Sequence, residues 1–153
     1  MKENFITPEG LQKFKEELKE KLEKKKQIGR AIKSAKEQGD LSENAEYSAA
    51  KAQQGENERR INWLKCVIEK AQVVEKKGLN QVDLGCLVEL EKEENKKENF
   101  QVRLVGVSEV SPLQGKISHE SPLGKAVMGK KVGDIIEFHT PRGKESYIIK
   151  KVD

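Results

Sequence analysis

Aromatic side chains make up only 5% of this 153-residue chain and the whole hydrophobic set 35%, against 37% charged. That is too little apolar material for one large globular core, whereas an elongated helical part joined to a small core fits it. No apolar run approaches the roughly 20 residues that span a bilayer, and Met1 to Phe5 is too short and too charged to serve as a signal peptide. A cytoplasmic protein with no membrane contact and with free thiols is expected. The two cysteines, Cys66 and Cys86, form no CxxC pair, and His119 and His139 are not near them at ligand spacing, which argues against a zinc site. A large charge of one sign is missing too. The net +4 lies wholly in residues 1–77, which carry 18 Lys and Arg against 14 Asp and Glu, while residues 78–153 carry 12 of each. Such an excess could steer the chain toward nucleic acid or an acidic partner without giving strong phosphate binding, and a plain solvated helix surface explains it as well.

What is present begins with a helix start at Thr7-Pro8-Glu9. Thr7 can cap, Pro8 suits the first helical position, and Glu9 favours the positive end of the dipole. Ile6 and Leu11 are spaced for a hydrophobic staple. Leu11, Phe14, Leu18, Leu22, Ile28, Ile32 and Ala35 then form one narrow apolar seam at steps of three and four or their sums. Glu9 with Lys13, Glu17 with Lys21 and Glu20 with Lys24 are spaced for surface pairs of about 0.3 kcal/mol each. After Gly39 a second seam reads Tyr47, Ala50, Gln54, Asn57, Ile61, Leu64, Ile68 and Ala71. It is small and polar near the connection and aliphatic at the other end, where it should hold most firmly. Gly78, following Lys76 and Lys77, is the expected stop. Two arms of about 30 residues, each about 45 Å long, joined by so short a connection predict an antiparallel coiled-coil hairpin.

Beyond Gly78 the period changes to two. Cys86, Val88 and Leu90 alternate with Leu87, Glu89 and Glu91, and Phe100, Val102 and Leu104 alternate with polar residues, so both stretches read as strands across a charged turn at 91–99. Ser121-Pro122 opens a short capped helix, a strand follows near Ile135 to Phe138, Thr140-Pro141-Arg142-Gly143 is a turn, and 145–152 is a last strand. The fold class is therefore α+β, with a helical hairpin over 1–77 and a small antiparallel sheet domain over 80–153.

The connection itself, Gly39-Asp40-Leu41-Ser42-Glu43-Asn44-Ala45-Glu46-Tyr47, gathers three carboxylates. Asp40 with Glu43 three residues on matches a capping box in which Asp stands for Ser or Thr. The same spacing on a first helical turn would also turn both carboxylates to one side, where a hard cation such as magnesium can be held if a partner supplies the remaining ligands. Tyr47 is expected to pack beneath the connection and not to stack on bases.

This stretch, continued by Ala49-Ala50-Lys51 and Gln53-Gln54, resembles the signature of the GreA/GreB transcript cleavage factors of bacterial RNA polymerase. The likeness extends to Ile6-Thr7-Pro8-Glu9-Gly10-Leu11, to Lys70-Ala71-Gln72-Val73-Val74, and to Ser121-Pro122-Leu123-Gly124-Lys125-Ala126 with Met128-Gly129-Lys130, in order and in both halves. The sparse crowding of basic residues near Asp40 is similar to the GreA type. The resemblance implies a coiled-coil hairpin that enters the secondary channel of the polymerase and an FKBP-like domain that docks outside it. It implies that Asp40 and Glu43 help hold a Mg2+ ion shared with the polymerase active site, none being bound by the isolated protein, and so promote hydrolysis of backtracked RNA near its 3′ end. Lys36 and Lys51 match positions that contact the nascent RNA, and Ser121, Pro122, Leu123 and Gly124 match the turn that faces the polymerase. The factor would be a monomer and no nuclease by itself. The alternative it implies is a regulator that occupies the same channel without stimulating cleavage.

Overall fold

The computed structural model describes residues 4–39, 44–75 and 80–153. The chain divides into two compact units, Leu11–Lys70 and a discontinuous one made of Met1–Gly10 with Ala71–Asp153.

The first strand, β1 (Asn4–Ile6), leads directly into α1 (Pro8–Lys36), and α2 (Ala45–Glu69) leads into β2 (Ala71–Val73). β1 and β2 pair in parallel, Asn4 with Ala71 through Ile6 with Val73. Thr7 caps α1 as its sequence position suggests, its hydroxyl accepting the Gly10 amide at 3.1 Å. A second acceptor comes from far along the chain. The Glu109 carboxylate accepts the Thr7 amide at 2.9 Å, the Gly106 amide at 3.2 Å, and the Thr7 hydroxyl. A negative group thus sits at the positive end of the α1 dipole.

Within the helical unit α1 and α2 run antiparallel, as their cross-contacts show. Asn44 reaches the Ala35 carbonyl, Asn57 the Lys21 carbonyl at 3.0 Å, Arg60 the Glu17 carboxylate, and Trp63 the ring of Phe14 edge-on at 5.5 Å. The seam follows the expected periodicity through Leu64, but beyond it Val67 is the buried residue, Ile68 is half-buried and Ala71 belongs to β2. Leu22 is 39% exposed, next to the Lys21 carbonyl that the buried Asn57 engages, so the middle of the seam is polar and open. Nor is the seam firm only at one end, because Ile28 and Ile32 of α1 bury against Ala50 and Tyr47, the bulk of one helix filling what the small residues of the other leave. Tyr47 is packed, as expected.

One expectation is refined and another corrected. The Glu17 carboxylate is held across the hairpin by Arg60, with Nε at 2.6 Å and Nη2 at 2.9 Å, a planar fork on the facing helix, and Lys21 one turn along adds a weaker electrostatic attraction. That guanidinium holds the Glu17 carboxyl below the usual carboxylate range and also lies over Trp63, 4.4 Å from the ring centroid. Gly78 lies outside the described residues and is not the stop of α2, which ends at Glu69 with the Lys70 amide bonded to the Cys66 carbonyl. The following Ala71-Gln72-Val73 finds partners in β1 instead, and β-branched Val73 suits that geometry.

The sheet comprises β3 (Leu87–Lys92), β4 (Asn99–Val105), β5 (Lys116–Ser118), β6 (Ile135–Thr140) and β7 (Gly143–Val152), in the order β5-β4-β3-β7-β6. Its pairings are antiparallel except at one edge, where β5 joins β4 in parallel. Val88, Leu90, Val102, Leu104 and Ile149 are buried in its core with Cys86 and with Val127 of the short helix α3 (Pro122–Val127). Phe100 and Phe138 flank Tyr147, whose hydroxyl is pushed above its ordinary pKa by burial and by its bond to Glu145. Cys66 is half-buried. Among the described residues no helix is long and apolar enough to cross a membrane.

Candidate functional site

Asp40 and Glu43 lie outside the described residues, and the structure gives the frame on either side of them. On the α1 side the chain turns after Lys36. The Glu37 amide reaches the Ser34 carbonyl and the Gln38 amide the Ala35 carbonyl, each at 3.2 Å, a tightening of the last turn that satisfies carbonyls left over at a helix end. Gly39 follows at φ +118°, a conformation that side chains with a Cβ rarely adopt.

On the α2 side the frame begins at Asn44, with φ −86° and ψ 104°. Its Oδ1 accepts the Tyr47 amide at 3.0 Å, and its Nδ2 donates to the Ala35 carbonyl at 2.8 Å. Asn44 is therefore the N-cap of α2, and the capping-box reading of Asp40 with Glu43 does not describe the cap this helix uses. The sequence carries the signal for Asn44, since Asn is among the strongest N-caps, but the acid three positions after Asp40 offers a competing capping box upstream.

Both candidate RNA-contacting lysines are exposed and flank this frame. Lys36 is the last residue of α1, where with Lys33 it complements the negative end of the dipole. Lys51, six residues into α2 and so about 9 Å along its axis, donates from Nζ to Gln54 at 3.1 Å. Among the described residues no group of three or more His, Cys, Asp or Glu is placed to hold a metal.

The candidate docking turn opens α3. Ser121 caps it, accepting the Gly124 amide at 3.0 Å and donating its hydroxyl to the Ser118 carbonyl at 2.6 Å. A Cβ at Gly124 would come within 2.1 Å of that carbonyl oxygen, so glycine is required there by close approach. Leu123 packs against the sheet core, and Pro122 is exposed. Three of the four residues thus have structural work within the turn, and Pro122 offers its surface outward.

Residues 4–73 match the family described as transcription elongation factor, N-terminal, and residues 76–153 the one described as transcription elongation factor, GreA/GreB, C-term. The transcription elongation factor GreA of Lachnoclostridium phytofermentans is 43% identical over 141 residues, covering 90% of this chain and 87% of that protein. That of Clostridioides difficile is 39% identical over 154 residues, covering 99% and 96%. Among solved structures, GreA factor homolog 1 of Thermus thermophilus aligns over 99% of each chain at 28% identity with a TM-score of 0.47.

Proposed function

The chain belongs to the GreA/GreB family of transcription elongation factors, and from that premise we propose that it inserts its helical hairpin into the secondary channel of bacterial RNA polymerase and stimulates cleavage of backtracked RNA near the 3′ end. The observation that carries this reading is the cap of α2. Asn44 supplies it, so the first turn of α2 is capped without calling on Asp40 or Glu43.

Two carboxylates are too few to cage magnesium, which takes six ligands. They suit an ion shared with a partner that brings the others, and no acidic cluster among the described residues competes for it. When bound there, the ion supplies Lewis-acid activation of water and neutralises charge at the leaving oxygen. Asp40 and Glu43 contribute the anionic oxygens that orient it. Lys36 and Lys51 contact phosphates of the extruded RNA, as solvated ammonium groups do without reading sequence. The turn Ser121-Pro122-Leu123-Gly124 meets the polymerase through the exposed face of Pro122. The protein works as a cytoplasmic monomer and lends groups to an active site that belongs to the polymerase, so it cleaves nothing alone.

The test is purified bacterial polymerase stalled in a backtracked complex. Added protein should shorten the RNA, and Asp40→Asn or Glu43→Gln should lower the saturating cleavage rate by on the order of a hundredfold, about 2.7 kcal/mol in barrier, while half-saturation stays within about twofold. Either variant cleaving at the unaltered rate would overturn the metal role. Binding by the unaltered protein with no change in RNA length would make it a non-cleaving occupant of the channel.

A further inference from the structure

We propose that Asn44 is a positioning residue that fixes where the acidic connection begins and ends, an inference that rests on the cleavage role of Asp40 and Glu43. One planar amide serves both helices. Its oxygen accepts the Tyr47 amide in the first turn of α2, and its nitrogen donates to the Ala35 carbonyl in the last turn of α1. The chain between Ala35 and Asn44 contains both acids, and a single 2.8 Å hydrogen bond ties its two ends together. Ala35 is buried, and the Tyr47 ring packs on Ile28, Ile32 and Ala50, so each side of the tie is anchored in the seam. The tie therefore holds Ala35 and Asn44, the residues on either side of the two acids, at a fixed separation.

Capping alone does not call for asparagine. Aspartate and serine cap about as well, since the cap needs only an acceptor. The tie to Ala35 needs a donor on the same side chain, at a reach that serine lacks, and aspartate would set a carboxylate oxygen against a carbonyl oxygen. The two functions of Asn44 are therefore separable by near-isosteric substitution. Displacing a catalytic group by about 1 Å can cost on the order of a hundredfold in rate, so loss of the tie should be read in turnover and not in binding.

In the backtracked-polymerase assay Asn44→Asp and Asn44→Ser should keep half-saturation within about twofold and lower the saturating cleavage rate by on the order of tenfold. Asn44→Ala should lower that rate by the same factor, and in addition speed hydrogen exchange at the Tyr47 amide, which the Asp and Ser variants should still protect. Unaltered saturating cleavage in the Asp and Ser variants would overturn the proposal, whether or not the Ala variant is impaired, because capping would then be all that Asn44 does. Asp40→Asn is run alongside. If it also cleaves normally, the tip reading itself has failed. If it is inactive while Asn44→Asp is normal, only the positioning role has.

Discussion

Gly106 shows how one hydrogen atom can decide a joint. Its φ of −68° suits any residue, so no backbone strain selects glycine there. Space does, because a Cβ would lie 1.7 Å from the Phe5 carbonyl oxygen, which is backbone of β1 and cannot swing away. Gly106→Ala should therefore cost about 2–3 kcal/mol, the upper range for overpacking, as measured by urea unfolding, because either β1 or the Glu109 loop must move. A loss below about 0.5 kcal/mol, the range of a neutral surface change, would show that β1 is not held there. Glu109 was not legible in the sequence at all. Local rules see that Thr7, Pro8 and Glu9 start a helix, but a carboxylate 102 positions away that accepts the Thr7 amide follows from tertiary structure alone. Asn44 is the opposite case, a residue whose capping chemistry is visible in the sequence but stands beside a competing pattern at Asp40 and Glu43.

In the helical hairpin the periodic seam was readable because burial of one face imposes a period of about 3.6 on the sequence. Which polar residues meet across it was not, since local spacing offered Glu17 the Lys21 of its own helix, and a partner on the facing helix follows from the pairing of the two helices. That partner is Arg60, with two of its three guanidinium nitrogens, Nε and Nη2, on the carboxylate and the guanidinium carbon over Trp63. The pair is partly exposed, at 41% for Arg60 and 28% for Glu17, so solvent screening limits it to about 1 kcal/mol. A double-mutant cycle of Glu17→Gln with Arg60→Gln should return that coupling. Its pH dependence has a definite sign. Because the guanidinium lowers the folded-state pKa of Glu17, the contribution is complete above the unfolded carboxylate value of about 4.3 and fades as pH falls through the lower folded value. Stability differences between the unaltered protein and Glu17→Gln, followed by thermal unfolding from neutral pH to about pH 2, should shrink only in that acid window. A difference that instead grew on acidification would contradict the assignment. The end of α2 at Glu69 departs from the local signal for a related reason. Gly78 is a sound local stop, but β1 offers the backbone of Ala71–Val73 hydrogen bonds that a longer helix would forgo, and pairing with a distant strand overrides a local signal.

At the scale of the whole molecule, chain order and compact unit do not coincide. The first ten residues belong with the sheet domain, although sixty residues of hairpin separate them from it in sequence. Ile6 is fully buried, the Ile6 carbonyl accepts the Val74 amide at 2.9 Å, and Thr7 carries the Glu109 contacts. A fragment of residues 71–153 therefore lacks part of its own unit. It loses burial of one isoleucine, about 2 kcal/mol, and leaves β2 unpaired and the Glu109 carboxylate without the Thr7 donors. Relative to a fragment in which residues 1–10 are joined to 71–153 by a short flexible linker, it should be less stable by about 3 kcal/mol, which for a unit of this size lowers the melting temperature by about 12–24 °C. Calorimetry on the two fragments decides the point. Equal melting temperatures would mean that β1 and Thr7 add nothing to the sheet domain, and that its stability resides wholly in the core around Val88, Leu90, Leu104 and Ile149. A large gap would mean that β1 and Thr7, which precede the hairpin in the chain, are part of the sheet domain's own structure, with β1 completing the pair that β2 begins.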